Sequence, residues 1–341
     1  MSVPVLDPFG AAGDGDMPSL ALALDPVAAR RHLERRLPRL AGEEGVVHLR
    51  AARVTRYKAG RRCVIEYEVR VRRPDLPPQA ATLIGKVRRG RFGGKDYRLL
   101  DAIWRAGFVA DSEDGLSVAE PLGHVSKLRM SVQRKMAGRP ATDVLAAPDG
   151  VAVARRIAEA ACKLHRAGVP ASRRHTMADE LRLLRTYLAA AAEAEPRWAD
   201  RIERLLEACE RLGAAAPEPR PHGIHRDLYP DQVLVHGQRV YLIDFDLYAE
   251  GDPCLDIGNF LAHVTEQSLR TLGDPGALAE LERAMEERFL ELSSGATRAG
   301  VRAYATLALA RLVYLSTRFP DRRPFTGALL SLCEERLGLG R

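Results

Sequence analysis

The chain has 341 residues, 46% of them apolar and 28% charged, and its 52 Lys and Arg against 45 Asp and Glu give a net charge of +7. At roughly 100–200 residues per domain, this length holds two domains or two lobes and buries a core without disulfides or metals. No apolar run approaches the roughly 18 residues of a membrane span, and the N-terminus lacks the basic region and apolar stretch of a secretory signal. The five cysteines, Cys63, Cys162, Cys209, Cys254 and Cys333, are widely spaced and form no CxxC pair. A cytoplasmic protein with reduced, structural thiols and no structural zinc is expected. The basic balance admits phosphate ligands, yet no zinc-finger spacing, RNP-type motif or basic-heptad block supports a nucleic-acid partner.

In chain order, residues 1–24 are rich in Gly, Pro, Asp and Ala without periodicity and read as a mobile leader. From Asp25 to Leu37 a short helix is expected, with Asp25 as N-cap and Pro26 at its first position. Residues 46–90 read as strands. In CVIEYEVRV, Cys63, Ile65, Tyr67 and Val69 share one face, with Val64, Glu66 and Glu68 on the other. RVTRYKAGRRC leads into it through a basic turn, RRPDLPPQ after it reads as a loop because Pro lacks a backbone donor, and ATLIGKVRR is a third strand. KDYRLLDAIWRAG has helical spacing at Tyr97, Leu100, Ile103 and Trp104 and stops at Gly107. SVAEPLGHVSKLRMSVQRKMAGRP reads as two short strands and a turn. Beyond Gly138, Ala-, Leu- and Arg-rich helices fill 142–215 and 265–341. The expected architecture is an α+β, two-lobed chain: a leader at 1–24, a β-rich N-lobe at 25–134 and a mainly helical C-lobe at 135–341.

The chemistry concentrates in HGIHRDLYPDQVLVHGQRVYLIDFDLYAEGDPCLDIGNFLAH, residues 222–263. Val233–His236 and Arg239–Ile243 form a hairpin across Gly237-Gln238. Asp227 and Gln232 precede its first strand and Asp244 ends its second, so three oxygen-bearing side chains converge at its mouth. Phosphoryl transfer needs a carboxylate to take the proton of the attacking hydroxyl. It also needs oxygen donors to hold Mg²⁺ on the nucleotide phosphates. The protein-kinase order H-R-D-x-x-x-x-N, then Asp, is close to His225-Arg226-Asp227, Gln232 and Asp244.

With Gly251-Asp252-Pro253 and Asp256-Ile257 trailing it, the block resembles the aminoglycoside phosphotransferase/choline kinase-like family. The resemblance spans about residues 45–320 and is dense at 222–263. It implies a protein-kinase-like fold and transfer of the γ-phosphate of ATP or GTP to a hydroxyl, with Mg²⁺ as cofactor. The acceptor would be an aminoglycoside, sugar, amino alcohol or natural-product intermediate. It also implies Asp227 as catalytic base and Asp244 and Gln232 as metal ligands. Asp252 and Asp256 would be supporting residues, Asp256 capping the following helix and steadying the loop.

On the nucleotide side the resemblance implies Lys86 on phosphate, Asp96 as its helix partner with Asp101 as alternative, and Ile84 lining the adenine pocket. Backbone groups of Gln133, Arg134 and Lys135 would read the adenine edge. Lys58, Arg61 and Arg62 stand in a turn where related folds cover phosphates, and Arg88-Arg89-Gly90-Arg91 reads as a solvated loop. Two residues depart from the family pattern: Arg226 stands where Gly is usual, and Gln232 replaces Asn. Asp231 and Asp246 add nearby carboxylates without an assigned role.

His165, His222 and His225 read as structural. The stripe Leu307, Ala310, Leu312, Tyr314 and Leu315 reads as core, and Arg182, Arg185 and Arg201 as solvated. The basic charge, with only Glu334 and Glu335 near the C-terminus, argues against a polycationic acceptor. A peptide hydroxyl, a nucleotide-binding pseudokinase and a nucleic-acid binder are the competing readings. No membrane association is expected, and the chain is a monomer or homodimer.

Overall fold

The computed structural model describes residues 3–339 except 35–36, 43, 75, 91–93 and 218–219. The expected loop residue Arg91 lies outside the described residues. The fold is α+β, with two compact units: Met1–Glu113 with Ser117–Ala137, and Asp114–Leu116 with Gly138–Arg341.

The first unit is built on a six-stranded sheet. Its strands are β1 (Val5–Leu6), β2 (Val46–Lys58), β3 (Arg62–Arg73), β4 (Leu76–Arg88), β6 (Pro121–Val125) and β7 (Met130–Arg134), while β5 (Leu116–Val118) belongs to another sheet. Their order is β1-β2-β3-β4-β7-β6. β1 runs parallel to β2, and the remaining neighbours are antiparallel. The alternation in β3 places Cys63, Ile65, Tyr67, Val69 and Val71 in the core with Leu83 and Val87 of β4. A Cβ on Gly85 would run into Met130 and the Tyr67 ring, which explains a glycine between those two β4 residues. Helix α4 (Lys95–Arg105) follows the sheet's long strands, and only Ile103 of its apolar residues is fully buried.

Two expectations change here. The segment 1–24 is part of the unit, not a mobile leader. Met17, Leu20, Ala23 and Leu24 of the stretch leading into and through α1 (Ser19–Leu24) are buried in the sheet's core. The Tyr67 hydroxyl donates to the Ala23 carbonyl at 2.8 Å. Short length and weak periodicity hide such a segment, because its order comes from packing and not from propensity. Helix α2 (Pro26–Glu34) then starts at Asp25, which accepts the Ala28 N–H at 2.6 Å, and α3 (Pro38–Ala41) follows. The second change is at RRPDLPPQ. β3 reaches Arg73 and β4 begins at Leu76, with Pro77 and Pro78 in its exposed first turn beside an irregularity between Val71 and Arg73. Proline is tolerated at a strand's start and beside such bulges, where no ladder donor is required.

The second unit holds strands of order β11-β10-β8, with β8 (Arg139–Pro140), β10 (Val233–His236) and β11 (Arg239–Leu242). It also holds a two-stranded pair, β9 (His222–Ile224) with β12 (Ala249–Gly251). Around them lie α5 (Gly150–Arg166), α6 (Met177–Ala194), α7 (Ala199–Ala214), α8 (Pro253–Leu272), α9 (Ala279–Leu292), α10 (Arg298–Arg318) and α11 (Thr326–Arg336). A Cβ on Gly258 would lie 2.6 Å from Tyr304 Cβ, so this glycine lets α8 and α10 approach closely. Leu307, Ala310 and Leu312 of α10 are core, as expected. Tyr314 stacks on Tyr187 at 5.0 Å, and Leu315 lines a cavity. Arg201 is not simply solvated. Its guanidinium forks onto Glu334 at 2.9 and 2.6 Å, which holds the Glu334 carboxyl below its usual range. All five cysteines are buried and unpaired, and burial pushes the Cys63, Cys209 and Cys254 thiols up to about 12. Among the described residues, no helix is long and apolar enough to cross a membrane.

Asp14 closes the β2–β3 turn by accepting the Gly60 N–H and the Tyr57 hydroxyl, both at 2.8 Å. The second bond raises the Tyr57 phenol to about 12. Asp14→Ala should return it toward 10, read by ring-carbon NMR titration of labelled tyrosines; an unchanged Tyr57 titration would remove Asp14 from the turn.

Candidate active site

The loop that follows β9 is set by one carboxylate. Asp256, fully buried in the first turn of α8, accepts the backbone N–H of His225 at 2.8 Å and of Arg226 at 2.7 Å, and His165 Nε2 at 2.8 Å. A carboxylate only accepts, so His165 Nε2 carries the proton. The β9–β12 pair, Ile224 opposite Ala249 and His222 opposite Gly251, delivers both chain segments to this meeting point. Asp256 therefore steadies the loop as expected, but the cap of α8 is Asp252, which accepts the Cys254 N–H at 2.9 Å, with Pro253 at the first helical position. Burial raises the Asp252 carboxyl.

α8 holds the loop at further points along one stripe. Asn259 Nδ2 donates to the Leu228 carbonyl at 2.8 Å, and the His263 ring stacks on Tyr229 at 4.7 Å. Burial lowers His263 to about 3, so its ring is neutral there. Arg311 of α10 donates to Asn259 Oδ1 at 2.5 Å and reaches Glu180 at 3.5 Å. Burial alone would raise Glu180, but the His175 hydrogen bond and the Arg311 charge hold it below its usual range. Sequence reading missed Asn259, His263, Arg311 and Glu180. Asn259 and His263 leave a trace in the polar i, i+3, i+7 spacing from Asp256, whereas Arg311 and Glu180 are brought in by tertiary packing alone.

Arg226 and Asp244 both occupy the left-handed backbone region, at φ 69° and 66°. For a non-glycine residue that costs about 1–2 kcal/mol, and such residues persist where their surroundings fix them. At Arg226 the fixing contact is its N–H on Asp256.

The hairpin forms with Val233 opposite Leu242 and His236 opposite Arg239, and Ile243 N–H donates to the Gln232 carbonyl at 2.9 Å. His225 ties the loop to the hairpin's end: Nε2 donates to the Ile243 carbonyl at 2.9 Å, and its ring packs on Phe245 at 4.9 Å. Asp227 and Asp244 are thereby brought within electrostatic reach. Burial first, and then the Asp244 charge, raise the Asp227 carboxyl, opposed by His225, Arg311 and Arg226. Gln232 is buried, and its Nε2 donates to the Tyr229 hydroxyl at 3.2 Å, which orients the amide and leaves Oε1 as its acceptor. The Asp244 carboxylate and the Gln232 amide oxygen are hard oxygen donors of the kind Mg²⁺ takes. Asp246 sits in the short turn Phe245–Leu247, and Thr142 donates to Asp231.

Asp227 opens onto a cavity of about 570 Å³ within this unit, lined also by Arg226, Tyr229, Glu266, Arg311 and Arg322.

In the first unit, Ile84 and Lys86 of β4 share the face opposite the core, with Val64 opposite Lys86 on one side and Ser131 on the other. Asp96 is engaged by Arg88 at 2.8 Å, and Asp101 by Arg39 at 2.6 Å and Arg105 at 2.9 Å. The expectation for residues 133–135 narrows. The N–H of Arg134 donates to the Glu120 carbonyl at 2.9 Å and that of Lys135 to the Thr82 carbonyl at 2.8 Å, so the sheet already uses both donors. Their side chains pair with Glu120 and Glu66 at 2.6 and 2.8 Å.

Residues 60–293 match the model of the phosphotransferase enzyme family (APH). The chain belongs to that family. It is accordingly a phosphotransferase with an alcohol group as acceptor. Solved structures share the fold of this APH protein. A glucosamine kinase in complex with glucosamine, ADP and inorganic phosphate is 15% identical, with 92% of this chain and 87% of that one covered and a TM-score of 0.62. A choline/ethanolamine kinase family protein from Mesorhizobium loti is 16% identical, covering 91% and 93%, with a TM-score of 0.56. A spectinomycin phosphotransferase in complex with ADP and spectinomycin is 11% identical, covering 91% and 96%, with a TM-score of 0.54. No curated protein matches the sequence.

Removing the Asp256 carboxylate leaves two buried backbone donors and one imidazole donor without an acceptor. Asp256→Ala should destabilise the protein by about 3 kcal/mol and raise hydrogen exchange at the His225 and Arg226 amides. Unchanged exchange at both amides would contradict the brace.

Proposed function

We propose that this APH-family protein transfers the γ-phosphate of ATP or GTP, with Mg²⁺, to a hydroxyl of a small molecule. The observation that carries the reading is Asp227: a carboxyl raised by burial and by Asp244, on a braced loop, opening into a cavity of about 570 Å³. That volume lies in the small-molecule range of about 300–1,000 Å³ and favours a compact acceptor over a peptide.

In this reading the first unit binds the nucleotide and the second carries the loop and the acceptor cavity. Lys86 neutralises phosphate charge, Ile84 borders the base, and the carbonyls of Gln133, Arg134 and Lys135 supply its edge contacts. Asp96 acts with Lys86 only by sharing its carboxylate with Arg88. Asp244 and Gln232 would hold Mg²⁺, which when bound offsets the negative charge of the phosphates. Asp227 accepts the proton of the acceptor hydroxyl as its oxygen bonds to the γ-phosphorus and the bond to the nucleoside diphosphate breaks. Its raised pKa makes it a better proton acceptor than an exposed aspartate. Use of a cellular nucleoside triphosphate is consistent with a cytoplasmic location.

The test is transfer of label from γ-labelled ATP, and separately GTP, to a panel of sugars, amino alcohols, aminoglycosides and hydroxyl peptides. Asp227→Ala should abolish transfer (at least about 100-fold, the scale of general-base catalysis) while Mg·ATP still binds. Asp244→Ala should weaken metal-dependent binding itself, and equal loss of binding in both variants would overturn the roles.

The pH profile gives a further check. Only the ionised Asp227 can accept the proton, so kcat/KM should fall as pH drops through its raised pKa. The acid limb should lie above the ordinary aspartate value of 3.8, and a limb at or below it would contradict the assignment.

A further inference from the structure

The cavity in front of Asp227 has an unusual charge pattern for a site that would take a polycation. Four guanidiniums line it, from Arg226, Arg270, Arg311 and Arg322, against the three carboxylates of Asp227, Asp231 and Glu266. Two of these carboxylates are engaged. Glu266, with a side chain 4% exposed, lies 3.2 Å from Arg270 and 3.8 Å from Arg322, and Asp231 takes the Thr142 hydroxyl. An ammonium group entering here would find only Asp227 unengaged by such a contact, and burying a charge without partners is unfavourable.

The guanidiniums are not used up in the same way. Among the described residues the Arg226 backbone N–H is hydrogen-bonded to Asp256, while its guanidinium makes no hydrogen bond or ion pair and its charge acts on Asp227 and Glu180 from further away. Arg322 shares one Glu266 oxygen with Arg270, so that carboxylate offsets one of their two charges. Arg311, half-buried on the cavity wall, is oriented by Asn259 and has the Glu180 carboxylate at 3.5 Å, which offsets its charge. Arg226 also holds a left-handed backbone, φ 69°, where glycine would be unstrained. Its guanidinium belongs to a residue that stands beside Asp227 in the cavity wall.

Resting on the phosphotransferase reading above, we infer that the acceptor carries an oxyanion group, carboxylate or phosphate, besides the hydroxyl that is phosphorylated. Arg226 and Arg322 bind that group. Guanidiniums suit this task because their paired N–H groups match the two oxygens of either oxyanion. The stacked Tyr229–His263 wall is neutral and adds apolar contact area without opposing charge.

Calorimetric titration of the full chain without nucleotide tests this independently of transfer. The probes are D-gluconate against D-glucitol, glucose 6-phosphate against glucose, and kanamycin. The anionic member of at least one pair should bind at least tenfold more tightly than its neutral twin and weaken with salt; the two pairs distinguish carboxylate from phosphate. Arg322→Gln and Arg226→Gly should each reduce that binding at least tenfold. Arg226→Gly should also melt no lower than the unaltered protein, which separates lost recognition from lost fold. Equal binding within both pairs, absent binding included, would overturn the inference, as would tighter binding of kanamycin or anion binding that survives both substitutions. Failure of the phosphotransferase reading looks different: no Mg·ATP binding, or transfer that persists in Asp227→Ala.

Discussion

A single buried carboxylate, Asp256, makes the rest of the site possible. It meets two consecutive backbone donors and a histidine at 2.7–2.8 Å, in a buried or half-buried position where each would otherwise lack this acceptor. Leaving such groups unpaired costs about 1–3 kcal/mol apiece, so the loop has one conformation in which all are satisfied. That conformation forces Arg226 into the left-handed region and turns the next residue, Asp227, toward the cavity. Asp252 caps the helix that carries Asp256, and Gly258 lets that helix lie against α10, so the brace is anchored in the core and not in the loop it controls.

From this constraint the electrostatics follow. His225 fastens the loop to the hairpin's end, which brings Asp244 near Asp227, and burial with like charge raises the Asp227 carboxyl. His225, Arg311 and Arg226 oppose that rise. Two carboxylates with different surroundings can thus take different tasks, one handling a proton and the other holding a cation. Arg226 and Arg311 also line the cavity onto which Asp227 opens.

Much of this was legible in the sequence where local rules govern. The alternation from Cys63 to Val69 placed the core face of β3, and the Gly237 turn with flanking apolar residues placed the hairpin and hence the convergence of Asp227, Gln232 and Asp244. What could not be read was set by tertiary contacts. The N-terminal segment has no apolar periodicity to announce itself, yet Met17, Leu20 and Ala23 pack under the sheet and Tyr67 bonds to Ala23. Pro77 and Pro78 argued for a loop, but they sit at an exposed strand start where their missing donors are not needed. Arg311 and Glu180 stand 131 residues apart in the chain, and only the packing of α6 against α10 joins them. The Asp256 cap implied by the family resemblance gave way to Asp252, four residues earlier, where the backbone leaves the strand pair.

The most direct test of the account is a crystal structure of the protein with Mg²⁺ and a non-hydrolysable ATP analogue. The account predicts metal bound through the Asp244 carboxylate and Gln232 Oε1, with Asp227 unligated and facing the acceptor cavity, and Asp256 still on the His225 and Arg226 amides. Metal ligated by Asp227 in place of Asp244, or a loop that leaves Asp256 when nucleotide binds, would contradict it.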